Sequence, residues 1–471
     1  MLDTVTITSW LSSIRLEPAE SVKFQSVDGK WTITRAAFPM SFRVAPGVTS
    51  DILEEIRSGG VVLDKLAGKE HAAEVGGGPA EQISRLWRQG LLVKAVYDGE
   101  DKIAVLRNYG ETDLLPEPPA PSDRIVMTED TCLRVTGGKL LLESVSCGAY
   151  LMVMNDRLAR LPIPWRPMVC REWAEETMLP EEVILALASC LESIGAIKRI
   201  GAASPEPAPE WSLADQMFYV RSRLGRHVGE YGRRPAPHAP CHVAAVTSLP
   251  SRRKVGLPPP VMSTIIAKDR PFSEILESRR SIREHGDPPL SIVGLSEFLY
   301  RSARVTGRLG TGEDEITFRP YPSGGGLHEL EIYPLIHRCS NLSPALYRYD
   351  PFIHCLEEIA GPCPETVRLL ADARRSSRMT SEPQALLLVA AKFGRVNTKY
   401  ESVAYSLILK NLGGLFQTMY LVATAMGLAA CALGGGNSDV FCRVAGTNFW
   451  RESTVGEFLL GGRAATCQAQ S

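Results

Sequence analysis

Apolar positions along the chain follow two rhythms, one helical and one alternating, and each marks out elements. Asp51-Ile-Leu-Glu-Glu-Ile56 and Val61-Val-Leu-Asp-Lys-Leu66 read as short helices, and Ile83, Leu86 and Trp87 share one face of a third. That helix runs into Gly90-Leu-Leu-Val-Lys94, a glycine turn followed by a strand. The ending recurs further on, where Val183, Ile184, Leu187 and Leu191 lead into Gly195-Ala-Ile-Lys-Arg199. Helices closed by a glycine turn and a strand or hairpin are the outline of a winged helix, here in two weakly matching copies.

The C-terminal part mixes both rhythms. Glu329-Leu-Glu-Ile-Tyr-Pro-Leu-Ile336 alternates like a half-buried strand, and Ala385-Leu-Leu-Leu-Val-Ala-Ala391 is the continuous apolar run of a central one. Tyr405, Leu409, Leu412, Phe416, Met419 and Ala423 recur every three or four residues, which predicts a long helix after Tyr400. No charge occurs in the 28 residues between Lys410 and Asp439, enough on paper to cross a bilayer. Gly413, Gly414, Gly427 and the triplet Gly434-Gly-Gly436, with Gln417, Thr418 and Thr424, interrupt that run. The helix is therefore expected in a protein core or subunit interface, not in a membrane.

Proline clusters divide the chain: Pro116 to Pro121, Pro205 to Pro209, and Pro235 through Pro260. The expected organisation is a winged-helix-like docking domain at 1–120, a second at 121–203, a Pro-rich connector at 204–262 and an α+β domain at 263–471. The 52 Lys and Arg balance 53 Asp and Glu, so the chain has no general bias toward polyanions. Residues 51–120 hold 8 basic and 13 acidic side chains, the wrong sign for a phosphate backbone. DNA binding, the usual inference from a winged helix, gives way to peptide or protein docking, and no nucleic-acid partner is expected. Eleven Cys without CxxC or other zinc-ligand spacing predict reduced thiols and no metal site. The first ten residues lack the pattern of a secretory signal, so the cytoplasm is the expected location.

Three local clusters carry chemistry. Arg279-Arg-Ser-Ile-Arg283 offers planar guanidinium forks and a hydroxyl suited to a monophosphate, although a solvated basic turn would look the same. Pro320-Tyr-Pro-Ser-Gly-Gly-Gly-Leu327 lets backbone amides approach a flat ligand, with Ser323 as a side-chain donor. It is neither a dinucleotide fingerprint nor a Walker loop, and an ordinary glycine turn competes equally. The triplet Gly434-Gly-Gly436 is placed to cover the other side of such a ligand. Lys399-Tyr400, between the buried strand and the long helix, suits general acid/base work.

In this order, and with Leu346-Tyr-Arg-Tyr-Asp350 between them, these pieces resemble the SagB-type azoline dehydrogenases, a branch of the flavin-dependent nitroreductase superfamily. The resemblance runs without a gap from Lys399 to Leu428, where Tyr405, Gly413, Gln417 and Gly427 stand at expected positions. Trp211 and the segment from Phe218 to Arg226 resemble the family's connection between its peptide-binding and flavin halves. What the resemblance implies is an FMN-dependent oxidation of thiazoline or oxazoline rings to azoles in a ribosomally made peptide. It also implies a nitroreductase-like FMN domain behind two winged-helix-like ones. The FMN would lie between the subunits of a homodimer, with the azoline-bearing precursor peptide and a cyclodehydratase as partners.

By position, Arg279, Ser281 and Arg283 would hold the phosphate and ribityl chain, with Arg280 nearby. Pro322, Ser323, Gly324 and Gly325 would line the isoalloxazine, Gly434 and Gly435 would approach it from the helix side, and Arg463 would reach the phosphate. Lys399 and Tyr400 match the catalytic pair. The chain departs from the family in the long helix: Ser406 replaces Arg, Asn411 an acidic residue, Gly413-Gly414 a Gly-His pair, and Gln417-Thr418 a Gln-Asn pair. Two other readings stay open at this level. A small-molecule nitroreductase would oxidise NAD(P)H with quinone or nitroaromatic acceptors, and a non-catalytic scaffold of a peptide-modifying complex would purify without flavin colour.

Overall fold

The computed structural model describes residues 9–20, 22–27, 30–35, 38–43, 48–67, 78–108, 112–114, 117–145, 147–155, 164–201, 211–223, 232–233, 253–310 and 315–464. The chain divides into two compact units, Met1–Pro235 and Ala236–Ser471. Residues 204–210, 224–231 and 234–252, most of the expected connector, lie outside the described residues.

In the first unit, β1 (Ile14–Pro18), β2 (Val22–Val27), β3 (Lys30–Arg35) and β4 (Phe38–Arg43) precede α1 (Val48–Ser58), β5 (Val61–Val62), α2 (Asp64–Ala67), α3 (Pro79–Arg88), β6 (Leu92–Asp98) and β7 (Asp101–Asn108). A second set follows: β8 (Arg124–Met127), β9 (Thr131–Thr136), β10 (Lys139–Ser144), β11 (Ala149–Val153), β12 (Met168–Val169), α4 (Cys170–Thr177), α5 (Glu181–Ser193) and β13 (Ile197–Arg199). Helix α6 (Leu213–Arg221) and β14 (Gly232–Arg233) end the unit.

The two sets share their wiring, for β1 is flanked antiparallel by β5 and β6, and β8 by β12 and β13. Each set also closes its last helix in the same way. Gly90 and Gly195 have φ of 68° and 71°, a conformation that costs other residues about 1–2 kcal/mol. Gly90 N–H then donates to Trp87 O and Leu91 N–H to Leu86 O, as Gly195 N–H does to Glu192 O and Ala196 N–H to Leu191 O. Val61 and Val62 form a strand against Leu16 and Arg15 where a helix was expected, since adjacent β-branched residues fit a pleated edge better than a helical turn.

The boundary expected near 120 is crossed by one seven-stranded sheet, in the order β5-β1-β6-β7-β11-β10-β9, over a core drawn from both sets. The stretch between the sets is fastened by buried donors. Trp87 Nε1 donates to Thr112 O at 2.9 Å, and Lys94 Nζ, stacked 4.7 Å over the Trp87 ring, donates to Asp113 O at 2.8 Å. Burial holds the Lys94 ammonium down to about 8.

The second unit contains β15 (Lys254–Gly256), α7 (Met262–Lys268), α8 (Phe272–Ser278), α9 (Ile292–Ala303), β16 (Gly307–Leu309), β17 (Ile316–Phe318), β18 (Leu330–Ile336), β19 (Ala345–Asp350), β20 (Cys355–Ala360) and α10 (Pro364–Ser377). It continues with β21 (Ala385–Lys392), α11 (Phe393–Asn397), β22 (Tyr400–Glu401), α12 (Ala404–Ala425), β23 (Ala429–Leu433), α13 (Ser438–Ala445) and β24 (Glu452–Gly461). Its antiparallel sheet has the order β15-β20-β19-β18-β21-β24-β23. Because β15 pairs with β20, this sheet starts at Lys254, ahead of the expected edge at 263.

Helices α9 and α12 cover one face of the sheet and α10 and α13 the other, each with its own apolar core. Strand β18 is therefore buried on both faces, not half-buried as its alternation predicts. Its polar positions are paired in the interior. Glu331 lies 3.2 Å from Lys392 Nζ, Tyr333 donates to Glu452 at 2.7 Å, and neighbouring Arg348 grips Glu357 at 2.6 Å. No helix among the described residues is long and apolar enough to cross a membrane.

Arg348 and Glu357 are both almost fully buried, and without Arg348 the buried Glu357 carboxylate keeps only its 2.9 Å ion pair with the solvent-exposed Lys254 among the described residues. We expect Arg348→Met to destabilise the unit by about 3 kcal/mol. Arg348→Met with Glu357→Leu should cost much less, as measured by urea unfolding.

Candidate functional site

The glycine-rich loop before β18 is held by a ring of hydrogen bonds. Ser323 Oγ accepts from His328 N–H at 3.0 Å and from Asn411 Nδ2 at 3.2 Å, and donates to Glu329 Oε2 at 3.2 Å. Asn411, from α12, also donates to Glu329 Oε1 at 2.9 Å and accepts from Gly324 N–H at 3.1 Å. The Ser323 hydroxyl is thus engaged within the chain, where it fixes the loop to Glu329 and α12. Past this anchor, Gly325 and Gly326 take φ of 64° and 67°, the left-handed region glycine tolerates.

Three further contacts place the loop against the start of α12. Gly324 faces Leu407, and Gly414 leaves room for Pro322, which a Cβ at 414 would approach to 3.2 Å. A Cβ on Gly325 would stand 2.9 Å from the Tyr400 hydroxyl. Lys399 and Tyr400 follow α11 and are half-buried, with Lys399 N–H donating to Val396 O at 3.0 Å. Loop and Lys-Tyr pair, far apart in sequence, are therefore neighbours.

The basic segment gathers at the other end of α12. Ile282 N–H donates to Ala430 O at 2.8 Å, at the start of β23. The Ser281 and Tyr420 hydroxyls are 3.0 Å apart, Tyr420 OH accepts from Ala432 N–H at 2.7 Å, and the Arg279 guanidinium lies 5.2 Å from the Tyr420 ring centre. Arg280 turns back to cap α8, donating to Glu277 O and Arg279 O. Only one of its terminal nitrogens is engaged there, and both Arg280 and Arg283 are exposed. Arg463 emerges from β24 beside residues 285–288, where Gly286 N–H donates to Gly462 O at 2.8 Å.

Gly434 and Gly435 are exposed at the far end of β23, and nothing lies within 4 Å of a Cβ built on either. Behind them Gly436 abuts Glu457, whose carboxyl is pushed up to about 7 by burial. The predicted residues thus fall in three places: the loop with Tyr400, the basic segment with Arg463, and the exposed Gly434-Gly435 segment after β23. Leu407 and Tyr420, which mark the first two of these on α12, are about 20 Å apart at 1.5 Å per residue.

An open glycine surface that side chains would fill, and exposed guanidiniums held on a fixed frame, fit a flat cofactor with an anionic tail. Tyr420, Asn411 and Glu329 were missed as site residues. Tyr420 shares the helical spacing of core residues, and Asn411 stood out only as a departure from the family pattern.

Residues 276–461 match the nitroreductase family. The C-terminal unit is a nitroreductase-like domain. Over 163 residues, 35% of this chain and 78% of the relative, it is 29% identical to MJ1384 of Methanocaldococcus jannaschii, which bears the provisional name nitroreductase. Over 114 residues it is 29% identical to the microcin B17-processing protein McbC of Escherichia coli, covering 23% of this chain and less than half, 42%, of McbC. The solved Escherichia coli microcin synthetase McbBCD complex with truncated pro-MccB17 bound aligns at 20% identity and a TM-score of 0.34, over 52% of this chain and 90% of that one.

Beyond the basic segment, His285 is largely buried, and its Nδ1 accepts from Gln384 N–H at 3.0 Å. Burial lowers it from 6.5 to about 4, so it is neutral in the fold. The unfolded chain binds this proton more readily, so its contribution to stability is complete above about pH 6.5 and is lost as pH falls toward 4. Thermal unfolding followed from pH 7 to 4 should show this loss, with a shallower slope in His285→Gln.

Proposed function

We propose that the protein is an FMN-dependent dehydrogenase that converts azolines to azoles in a ribosomally made peptide. The observation that supports the reading is the Tyr400 hydroxyl beside Gly325, a phenol able to carry a proton next to a glycine loop that a flat ring could approach. The order of the motifs and the partial likeness to a microcin-processing protein support it. Under this reading Arg279, Ser281, Arg283 and Arg463 hold the phosphate and ribityl chain of FMN, Gly434 and Gly435 lie under the ring, and Pro322 to Gly325 border it.

Aromatising an azoline removes two electrons and two protons. FMN, when bound, supplies the two-electron acceptor. Tyr400 or Lys399 takes the ring proton, and the ordered loop holds the substrate ring against the pair and keeps water out. Separation of the loop from the basic segment along α12 supports a site completed between two copies of the chain. Exposed Ile266, Phe272 and Leu276 on α7 and α8 are the kind of apolar surface such a homodimer would cover.

The N-terminal unit, in this reading, docks the precursor peptide or a cyclodehydratase. Its sheet ends in β9, an edge strand with exposed Leu133 and Val135 on which an extended peptide can add a strand.

Lys399→Ala and Tyr400→Phe should each keep FMN absorbance. At least one should slow azole formation by roughly 10²- to 10⁴-fold, followed as loss of two hydrogens per ring by mass spectrometry. Full activity in both would reject the assignment. Val135→Glu should raise KM for a full-length precursor several-fold and leave a short azoline substrate unaffected; equal effects on both would reject docking at β9.

A further inference from the structure

Gln384, immediately before β21, is only 1% exposed, and its side-chain amide makes three hydrogen bonds to two stretches of backbone. Oε1 accepts from Leu290 N–H at 2.8 Å and from Gly462 N–H at 2.9 Å, and Nε2 donates to Gly286 O at 2.8 Å. Its backbone completes the junction: the N–H donates to His285 Nδ1, and the carbonyl accepts from His337 and Arg338 N–H at 3.0 Å each. The segment that leaves Arg283 and the segment that enters Arg463 are thus joined through one buried amide.

The packing around this amide leaves no slack. A Cβ on Gly461 would overlap the His285 ring, one on Gly286 would overlap Ala464, and one on Gly462 would overlap Pro288 O. Three glycines permit an approach that no other residue would, and Gln384 supplies the hydrogen bonds that the closely packed backbones cannot all give one another.

We propose that Gln384 is the positioning residue of an anion grip in which Arg283 and Arg463 close on one phosphate, that of FMN. The inference rests on the flavin reading above. Two guanidiniums that are to close on one anion repel each other until it arrives, and locked backbones beneath them lower the cost of bringing them together. Gln384 touches neither cofactor nor substrate and acts through those backbones. Gln384→Leu strands the Leu290 and Gly462 N–H groups and the Gly286 carbonyl, and the two segments separate to hydrate them.

Riboflavin has the ring and ribityl chain of FMN but no phosphate, so the pair isolates the grip. In the full-length chain, titrated by flavin fluorescence, Gln384→Leu should raise the Kd for FMN by about tenfold or more, the worth of one or two charge-assisted hydrogen bonds. The Kd for riboflavin should stay within about twofold. Gln384→Glu, kept protonated by its burial, retains the two acceptor bonds through its carbonyl oxygen and donates to Gly286 O through its hydroxyl, so it should shift the same ratio less, and it decides the matter if the Leu variant does not fold. An FMN-to-riboflavin preference unchanged from wild type, or equal weakening of both flavins, would overturn the role of Gln384. A wild-type chain that binds neither flavin would overturn the flavin reading itself, and the grip with it.

Discussion

The candidate site depends on the burial of one helix along one stripe. Ala404, Ile408, Leu412, Leu415, Met419 and Ala423 of α12 lie within the core over the sheet, at the spacing of a helical face. That face sets both ends of the site at once, since Asn411 near the start of α12 ties down the glycine loop and Tyr420 near its end receives the basic segment. Tyr405, Gly413 and Gln417 on the opposite side are exposed.

Around this helix, the protein uses much of its polar chemistry on itself. Ser323, Arg280 and Asn411 looked like ligand-binding groups or like a family departure, yet each is engaged inside the chain. Asn411 has a clear physical logic. Its amide donates to the Glu329 carboxylate and accepts from the loop backbone, which an acidic side chain could not do without placing two carboxylates in contact. Gly414, in place of a larger residue, leaves the space that Pro322 fills. The departures in α12 form a consistent local packing between loop and helix.

The N-terminal unit makes a related point about boundaries. Two sets of elements with the same wiring end their helices in the same glycine turn, yet they share a single sheet, and buried Trp87 and Lys94 fasten the stretch that joins them. A proline cluster marks where one set stops, not where a core stops. The hydrogen-bond needs of strands β7 and β11 carry the sheet across it.

By itself the sequence determined the local elements whose signals are local. The long helix, the central strand at 385–391, the repeated helix-glycine-strand ending and the membership of the three chemical clusters all follow from spacing and from residue type. Tertiary structure alone decided which clusters meet. Tyr400 reaches Gly325, Ser281 reaches Tyr420, and the flanks of Arg283 and Arg463 meet at Gln384, through contacts between residues 75 or more positions apart. It also decided that β18 is buried on both faces, because alternation reports one polar face but not the buried partners, here Lys392, Glu452 and Arg348 with Glu357, that let the polar positions sit inside. Periodicity is a property of neighbours in the chain, whereas a hydrogen bond or an ion pair depends on neighbours in space.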